Sequence, residues 1–422
     1  MQQQEAAHHA AEVVAARARE VSRTLAAATR QQKDAALRNM AAHLENHRAE
    51  ILAANEADRR EAASQGVPQN LLDRLRFDEG KIEGRRRSLE LIAGLPDPVG
   101  RTLREETLPT GLWVRRVSVP LGVILMVYEA RPHVTLNAGA FCLKAGSAAI
   151  LRGGSEARRC NAVLGDLWRE AALAAGLPAE SVQVISGPHE TIHELLELQG
   201  LIDLVIPRGG KGLIEAVARR SRIPVIKHYE GVCHVYLDGD IDLAAALDVV
   251  LDSKCLMPEV CNALETLLVD RSLAPALPQI VAALREAGIT VKGCPASRAA
   301  VADLDPAEEA DWRTEYLDMI LSLRVVDGVD EAIDHINRYG SHHTDSIVTA
   351  EKNRAEQFCR EVDSAVVLVN ASTMFCDGQA LGMGAEIGIS TDKLHARGPM
   401  GLEELTSYKF VIHGRGHTMG KW

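Results

Sequence analysis

The sequence predicts an α/β protein built on a doubly wound parallel sheet, and three observations carry that expectation. Short apolar runs end at glycines and give way to helical stretches, in a rhythm of roughly 30–40 residues, as parallel βαβ units do. Aromatic residues make up only 4% of the chain against 46% hydrophobic, so Leu, Val, Ile and Ala must fill the core, which suits helices packed on parallel strands. With 422 residues and 25% charged side chains, the composition is that of a soluble globular chain of roughly two or three domains.

The elements follow in order. Residues 5–65 carry Ala, Glu, Arg and Leu at helical spacing and predict one or two long helices. Residues 70–95 predict another, ended by Pro96 and Pro98. The texture then changes. Residues 112–119 are rich in β-formers, and 120–128 read as one fully buried strand. A helical stretch at 137–144, a strand at 148–152 closed by Gly153-Gly154, and a helix at 155–175 capped by Ser155 come next. A strand at 182–186 ends at Gly187-Pro188; a helix at 189–198, a strand at 201–206, Gly209-Gly210 and a helix at 211–221 complete the first unit. A second unit opens near Gly231, with a strand at 232–237, a helix at 243–251 and further alternation to Val369. Residues 405–413 read as an apolar terminal strand suited to pairing with another subunit.

Net charge is −11, which argues against a broadly basic nucleic-acid surface but not against an anionic substrate, since a few placed cations set a local potential. The first twenty residues include acidic side chains and no continuous apolar stretch, so no signal peptide is expected there. The apolar run 121–128 is far too short to span a bilayer, and the cytoplasm is the expected location. None of the eight cysteines forms a CxxC pair, and no Cys/His cluster has zinc-finger spacing. His342, His343 and Asp345 invite a metal reading, but neighbours on a strand point to opposite faces, and no metal is expected.

Chemistry concentrates in a few places. Cys261 follows Pro258, which bars a helix before it, and Asn262 is a good cap, so the cysteine is expected at a helix start. There the oriented N–H groups would lower its pKa and hold an oxyanion. A buried structural cysteine is the competing reading. Three glycine loops, at Arg152-Gly153-Gly154, Ser186-Gly187 and Arg208-Gly209-Gly210, each follow a predicted strand and leave bare backbone for a cofactor's phosphates. None is a GxGxxG; Arg152 is suited to a 2′-phosphate, or else is a solvated surface residue. Arg131, after the buried strand, suits an anionic substrate, or an ion pair with Glu129. His228 is a possible base, though an isolated histidine is more often structural.

Several segments, in this order, resemble the γ-glutamyl phosphate reductase branch of the aldehyde dehydrogenase superfamily. They are Tyr128-Glu-Ala-Arg-Pro-His-Val-Thr, Lys144-Ala-Gly-Ser-Ala-Ala-Ile-Leu-Arg-Gly-Gly, Ile206-Pro-Arg-Gly-Gly-Lys-Gly, Val260-Cys-Asn-Ala-Leu-Glu-Thr, Asn370-Ala-Ser-Thr-Met-Phe and Leu381-Gly-Met-Gly-Ala-Glu-Ile-Gly. The resemblance implies an aldehyde-dehydrogenase-like α/β fold with a Rossmann-type cofactor domain (1–106 and 120–231), an α/β catalytic domain (232–396) and a small β oligomerisation element (107–119 and 397–422). It implies NADPH held near Arg152, Gly153, Gly154, Gly187, Arg208, Gly209 and Gly210, with Glu315 on the nicotinamide ribose. Cys261 is implied as nucleophile, with Asn262 at the oxyanion, and Arg131, Ser372 and Thr373 near the substrate. The chain departs from the family pattern at Cys255-Leu256-Met257 and Met374, which leaves two cations missing near the substrate, and at His133, where asparagine is commoner.

The activity so implied is NADPH-dependent reduction of L-glutamyl 5-phosphate to L-glutamate 5-semialdehyde, the second step of proline biosynthesis, in a homo-oligomer that can pair with glutamate 5-kinase. Two rivals differ in chemistry. A hydrolytic aldehyde dehydrogenase needs a base for water, and His228 falls where relatives place one. A catalytically silent scaffold of the same fold needs no reactive cysteine.

Overall fold

The computed structural model describes residues 2–421 and divides into two compact units, one of residues 1–227, 383–388 and 400–422, the other of 228–382 and 389–399. The sequence alone places the boundary between cofactor and catalytic domains slightly later, at 231/232.

The first unit opens with five helices: α1 (Gln2–Ala26), α2 (Arg30–Asn46), α3 (Arg48–Ser64), α4 (Gln69–Leu75) and α5 (Glu79–Gly94). The expected one or two helices over 5–65 are thus three. Thr29 starts α2 with a reciprocal capping box to Gln32. The single helix expected over 70–95 is two, because Phe77 turns into the core and Asp78 caps α5 through the Lys81 N–H at 2.9 Å. Strands β1 (Thr102–Thr107) and β2 (Trp113–Pro120) form a hairpin. β3 (Val123–Tyr128) follows as a separate strand. The expected continuous strand 120–128 is broken at Gly122, whose φ of +120° favours glycine.

Next come α6 (His133–Lys144), β4 (Ala148–Arg152), α7 (Arg158–Ala174), β5 (Val182–Val184), α8 (His189–Leu195), β6 (Leu204–Arg208) and α9 (Lys211–Arg220). Residues 155–157 form a short 3₁₀ turn, and no side chain caps α7, so Ser155 is not the cap expected of it. The parallel sheet runs β5-β4-β3-β6. The chain winds outward from β3 to β5, then returns to β6 on the other side of β3. That reversal puts the topological switch at the carboxyl ends of β3 and β6, where ligands of open α/β sheets bind. Every residue of β3 and β4 is buried, as an aliphatic parallel sheet covered on both faces requires. Beneath it, Lys144 reaches Asp34 of α2, and Lys33 pairs with Asp97 at 2.6 Å.

The second unit contains β7 (Cys233–Leu237), α10 (Leu243–Cys255), β8 (Leu264–Asp270), α11 (Leu277–Glu286), β9 (Thr290–Gly293), α12 (Pro295–Ala300), β10 (Asp305–Pro306) and β11 (Ile320–Val326). It continues with α13 (Gly328–Tyr339), β12 (Thr344–Val348), α14 (Lys352–Glu361), β13 (Val366–Val369) and the short pair β14 (Ile389–Ser390) and β15 (Gly398–Pro399). Its seven-stranded sheet is ordered β10-β9-β11-β8-β7-β12-β13. One core, which includes Val235, Leu264, Leu267, Ile280, Leu284 and Leu323, packs α10 and α11 on one face. Tyr236, Leu268, Ile333 and Phe358 pack α13 and α14 on the other.

The last strand, β16 (Thr406–His413), belongs to the first unit and pairs antiparallel with β2 along its length, giving a three-stranded sheet β1-β2-β16.

Candidate active site

In the first unit, strand ends make a bare-backbone edge. Arg152, Gly153, Gly154 and Gly187, all singled out in the sequence, line one cavity of about 320 Å³ together with Arg158 and Asn161. Gly153 tolerates no side chain: a Cβ would lie 2.3 Å from Asn161 Nδ2 and 2.8 Å from the Tyr128 ring. Those neighbours are fixed, since Thr135 Oγ1 donates to Asn161 Oδ1 at 2.8 Å and lies 2.5 Å from the Tyr128 hydroxyl. Arg152 is 7% exposed, so it is no solvated surface arginine. It donates to the Gly187 carbonyl at 3.2 Å, and dehydration holds its pKa below the ordinary guanidinium value. A dehydrated cation with spare N–H groups at the wall of a glycine-lined cavity fits a phosphate-bearing cofactor.

Arg208, Gly209 and Gly210 lie apart from that cavity's lining, at the end of β6, where Arg208 is in register with Tyr128 of β3. The Gly210 N–H donates to Glu129 Oε2 at 3.0 Å. That bond engages Glu129, and no ion pair joins it to Arg131 among the described residues.

In the second unit, Cys261 is half-buried in a turn that leads into β8. The helix expected to begin at Asn262 is a strand: Leu264, Leu267 and Val269 of residues 264–270 fill one side of the sheet core and Leu268 the other. Cys261 therefore does not open a helix. What positions the sulfur is backbone packing. A Cβ on Gly231 would overlap the Cys261 carbonyl oxygen at 1.7 Å, so only glycine permits that approach. The same carbonyl accepts from the buried Cys233 thiol at 3.3 Å.

Asn262 is buried and has its side-chain amide committed. Nδ2 lies 3.2, 3.4 and 3.3 Å from the carbonyls of Thr373, Met374 and Cys376. It pins the 372–376 loop beside the cysteine, so any oxyanion contact from this residue falls to its backbone N–H rather than its side chain. The loop that carries Ser372 and Thr373 is thereby held to the Cys261 turn. The Ser372 hydroxyl serves the loop, accepting from the Met374 N–H at 3.2 Å and lying 3.1 Å from Ser253 Oγ, whereas Thr373 Oγ1 is buried without a partner.

Sequence reading missed a clasp around this turn. Lys254, at the end of α10, and Glu265, in β8, are both fully buried and meet at 2.8 Å. Burial pushes the Glu265 carboxyl up to about 7, against the pull of Lys254. Its other oxygen accepts from the Leu317 N–H at 3.3 Å, and Leu317 holds a left-handed φ of +53°. Two residues earlier, Glu315 Oε1 accepts from the Gly231 N–H at 2.8 Å. Gly231 thus touches both Glu315 and the Cys261 backbone, while Glu265 binds the chain two residues after Glu315. A charged residue inside the apolar run Ala263-Leu264-Glu265-Thr266-Leu267 was the available signal.

His228 and His343 meet edge to face, with ring centroids 5.7 Å apart. His228 Nδ1 lies 3.1 Å from the Ile389 carbonyl, to which it donates. His342 contacts the Asp363 carbonyl, His343 is buried with Nδ1 at 2.9 Å from Thr344 Oγ1, and Asp345 accepts from His234.

Known proteins resemble this chain over nearly its whole length. A family-wide profile described as the aldehyde dehydrogenase family matches residues 1–302. A γ-glutamyl phosphate reductase of Parvibaculum lavamentivorans is 50% identical over 408 residues, covering 96% of each chain. One from a Methylobacterium species is 48% identical, covering 95% of this chain and 94% of its own. The crystal structure of a γ-glutamyl phosphate reductase from Thermotoga maritima superposes with a TM-score of 0.95 at 42% identity, covering 97% of this chain and 99% of its own. The chain belongs to the aldehyde dehydrogenase family.

Proposed function

We propose that this chain reduces L-glutamyl 5-phosphate to L-glutamate 5-semialdehyde and phosphate with NADPH, through a thioester on Cys261. The observation that carries the reading is a half-buried cysteine whose backbone is seated on Gly231 and whose flanks are clasped by Lys254 and Glu265. The nearly full-length similarity to enzymes named for this reaction supports it.

The Cys261 thiolate attacks the acyl carbon, and the carbon–oxygen bond to phosphate breaks as the thioester forms. NADPH, when bound, supplies the hydride that converts the thioester carbon to a thiohemiacetal. The carbon–sulfur bond then breaks, releasing the aldehyde and regenerating the thiolate. We assign the developing oxyanion to the backbone N–H groups of Cys261 and Asn262, since that of Ala263 donates to the Val260 carbonyl at 3.0 Å. Arg152 with Gly153, Gly154 and Gly187 holds the cofactor's phosphates, with Arg208, Gly209 and Gly210 at the neighbouring strand end. Glu315 holds the nicotinamide ribose, Arg131 binds the anionic substrate, and the 372–373 backbone borders it.

Among the described residues no helix is long and apolar enough to cross a membrane. We place the enzyme in the cytoplasm, as a homo-oligomer assembled through the β1-β2-β16 sheet, supplied by glutamate 5-kinase.

Run in reverse, with the semialdehyde, phosphate and NADP, the wild type is expected to turn over only when phosphate is present. Cys261→Ser is expected to lose on the order of a thousandfold or more in kcat, because a serine alkoxide is scarcely populated at neutral pH. Phosphate-independent oxidation would instead identify a hydrolytic enzyme, and undiminished turnover by the serine variant would remove the thioester.

A further inference from the structure

The first unit gathers positive charge at its topological switch. Lys81 and Arg85 lie one turn apart on α5, which packs on α6; Arg131 lies in the turn before α6; Arg208 ends β6. Ala130 packs against Leu75 of α4, which brings Arg74 to the rim. These cations sense one another. Arg131 is held below the ordinary guanidinium value first by partial dehydration, then by Arg74 and Arg208. Lys81 is held down by dehydration and, among neighbours, by Arg76, Arg131 and Arg85.

Nearby carboxylates offset them only in part, Asp78 acting on Lys81 and Glu129 on Arg131, each with other partners as well. Glu83 is taken by Arg86 and Arg87 at 2.8 Å each, Asp78 pairs with Arg76 at 2.8 Å, and Glu129 accepts from Gly210. Among the described residues Arg85, Arg131 and Arg208 form no ion pair, while Lys81 rests its ammonium on the Arg76 carbonyl at 2.7 Å. At the centre sits His133. Burial, then Arg85, Arg131, Lys81 and Arg208, push its imidazole down to about 3, so it stays neutral at working pH. Its Nδ1 is buried without a partner, and so is Oδ1 of Asn137 one helical turn on. Incompletely compensated like charges and the orphaned His133 nitrogen raise the energy of the empty protein; a multiply charged anion offsets the charges and accepts from His133 as its Nδ1–H tautomer, whereas the Asn137 amide oxygen, itself an acceptor, calls for a donor instead.

We propose that Lys81, Arg85 and Arg131, with Arg208 at the rim and neutral His133 as a hydrogen-bonding group, form a subsite for an oxyanion of the substrate, either its phosphate or its α-carboxylate. This rests on the acyl-phosphate reading above and names the groups that select that substrate. Bidentate guanidinium–oxyanion pairing explains why arginines dominate.

Two measurements test it. In the reverse reaction, Arg85→Gln and Arg131→Gln should raise one KM about tenfold or more while the KM for NADP stays within about twofold. A rise for phosphate assigns the subsite to the phosphoryl group; a rise for the semialdehyde assigns it to the α-carboxylate. Arg85→Lys should recover part of the loss. Independently, inorganic phosphate or sulfate should raise the melting temperature of the cofactor-free enzyme, and the glutamine variants should lose that rise while melting normally without anion. A change confined to the KM for NADP, or a fall in kcat with every KM unchanged, would overturn the subsite. So would equal anion protection of wild type and both variants. If the wild type itself shows no phosphate-dependent turnover, the reductase reading falls, and anion protection still judges the subsite.

Discussion

Gly231 and Glu265 lie near the proposed nucleophile, and each gives a test. In Gly231→Ala the new methyl meets backbone rather than a mobile side-chain end, so the Cys261 turn must move. Overpacking of this kind costs about 1–3 kcal/mol, and a displacement near 1 Å costs roughly a hundredfold in rate. A lower melting temperature together with a collapsed kcat is expected; unchanged kcat would show that the seat does not position the sulfur. Glu265 acts through its proton. Its folded pKa, about 7, lies above the ordinary 4.5, so the folded state binds the proton more tightly. That contribution is complete below pH 4.5 and is lost as pH rises through 7. Stability should therefore decline across this window by at most about 1.4 kcal/mol per pH unit. Glu265→Gln should flatten the slope, read from urea melts at several pH values. The loops at Arg152-Gly153-Gly154 and Gly187 were legible as the lining of one cavity because their signal is local, a glycine after a strand, whereas the local signal at Cys261, a cysteine between a proline and a cap residue, pointed to a helix where a strand forms. The Lys254–Glu265 pair was not, since seeing it requires knowing that the end of α10 packs over the start of β8.

At the scale of elements, sequence reading went wrong where caps and packing compete. Asn262 looks like a cap, yet its amide is spent on the 373–376 carbonyls, and the apolar run after it enters the sheet. Strand burial outweighs a cap when the following side chains alternate between two apolar layers. Phe77 likewise breaks a helix that periodicity alone continues, because the core claims it and Asp78 restarts the next turn. True caps have measurable worth. Asp242 Oδ1 accepts from Ala244 and Ala245 at the start of α10, the helix that leads to the catalytic turn. Asp242→Ala should cost about 1 kcal/mol in chemical denaturation. Because the cap lies a whole helix away from Cys261, kcat at ordinary assay temperature should hold; a large loss would mean that α10 transmits fraying to the turn.

At the scale of the whole molecule, the β1-β2-β16 sheet leaves β16 as its edge, and strand alternation sets Tyr408, Phe410 and Ile412 on one face, 47%, 62% and 58% exposed. Trp113 and Leu103 add apolar surface on the same sheet, at 38% and 45%. An unprotected apolar edge is a template for another strand, and a chain keeps one when a second copy covers it. Arg116 stacked over the Tyr408 ring at 4.1 Å stiffens that face for such a contact. Net charge of −11 per chain opposes association at long range, but screening over about 8 Å at physiological salt leaves the apolar contact to decide. Sedimentation should therefore find an oligomer that tightens as salt rises. Phe410→Lys places an unpaired charge in the covered face and should dissociate it, with the individual chains still folded by circular dichroism. A monomeric wild type at micromolar concentration, or an oligomer indifferent to Phe410→Lys, would move the interface away from β16.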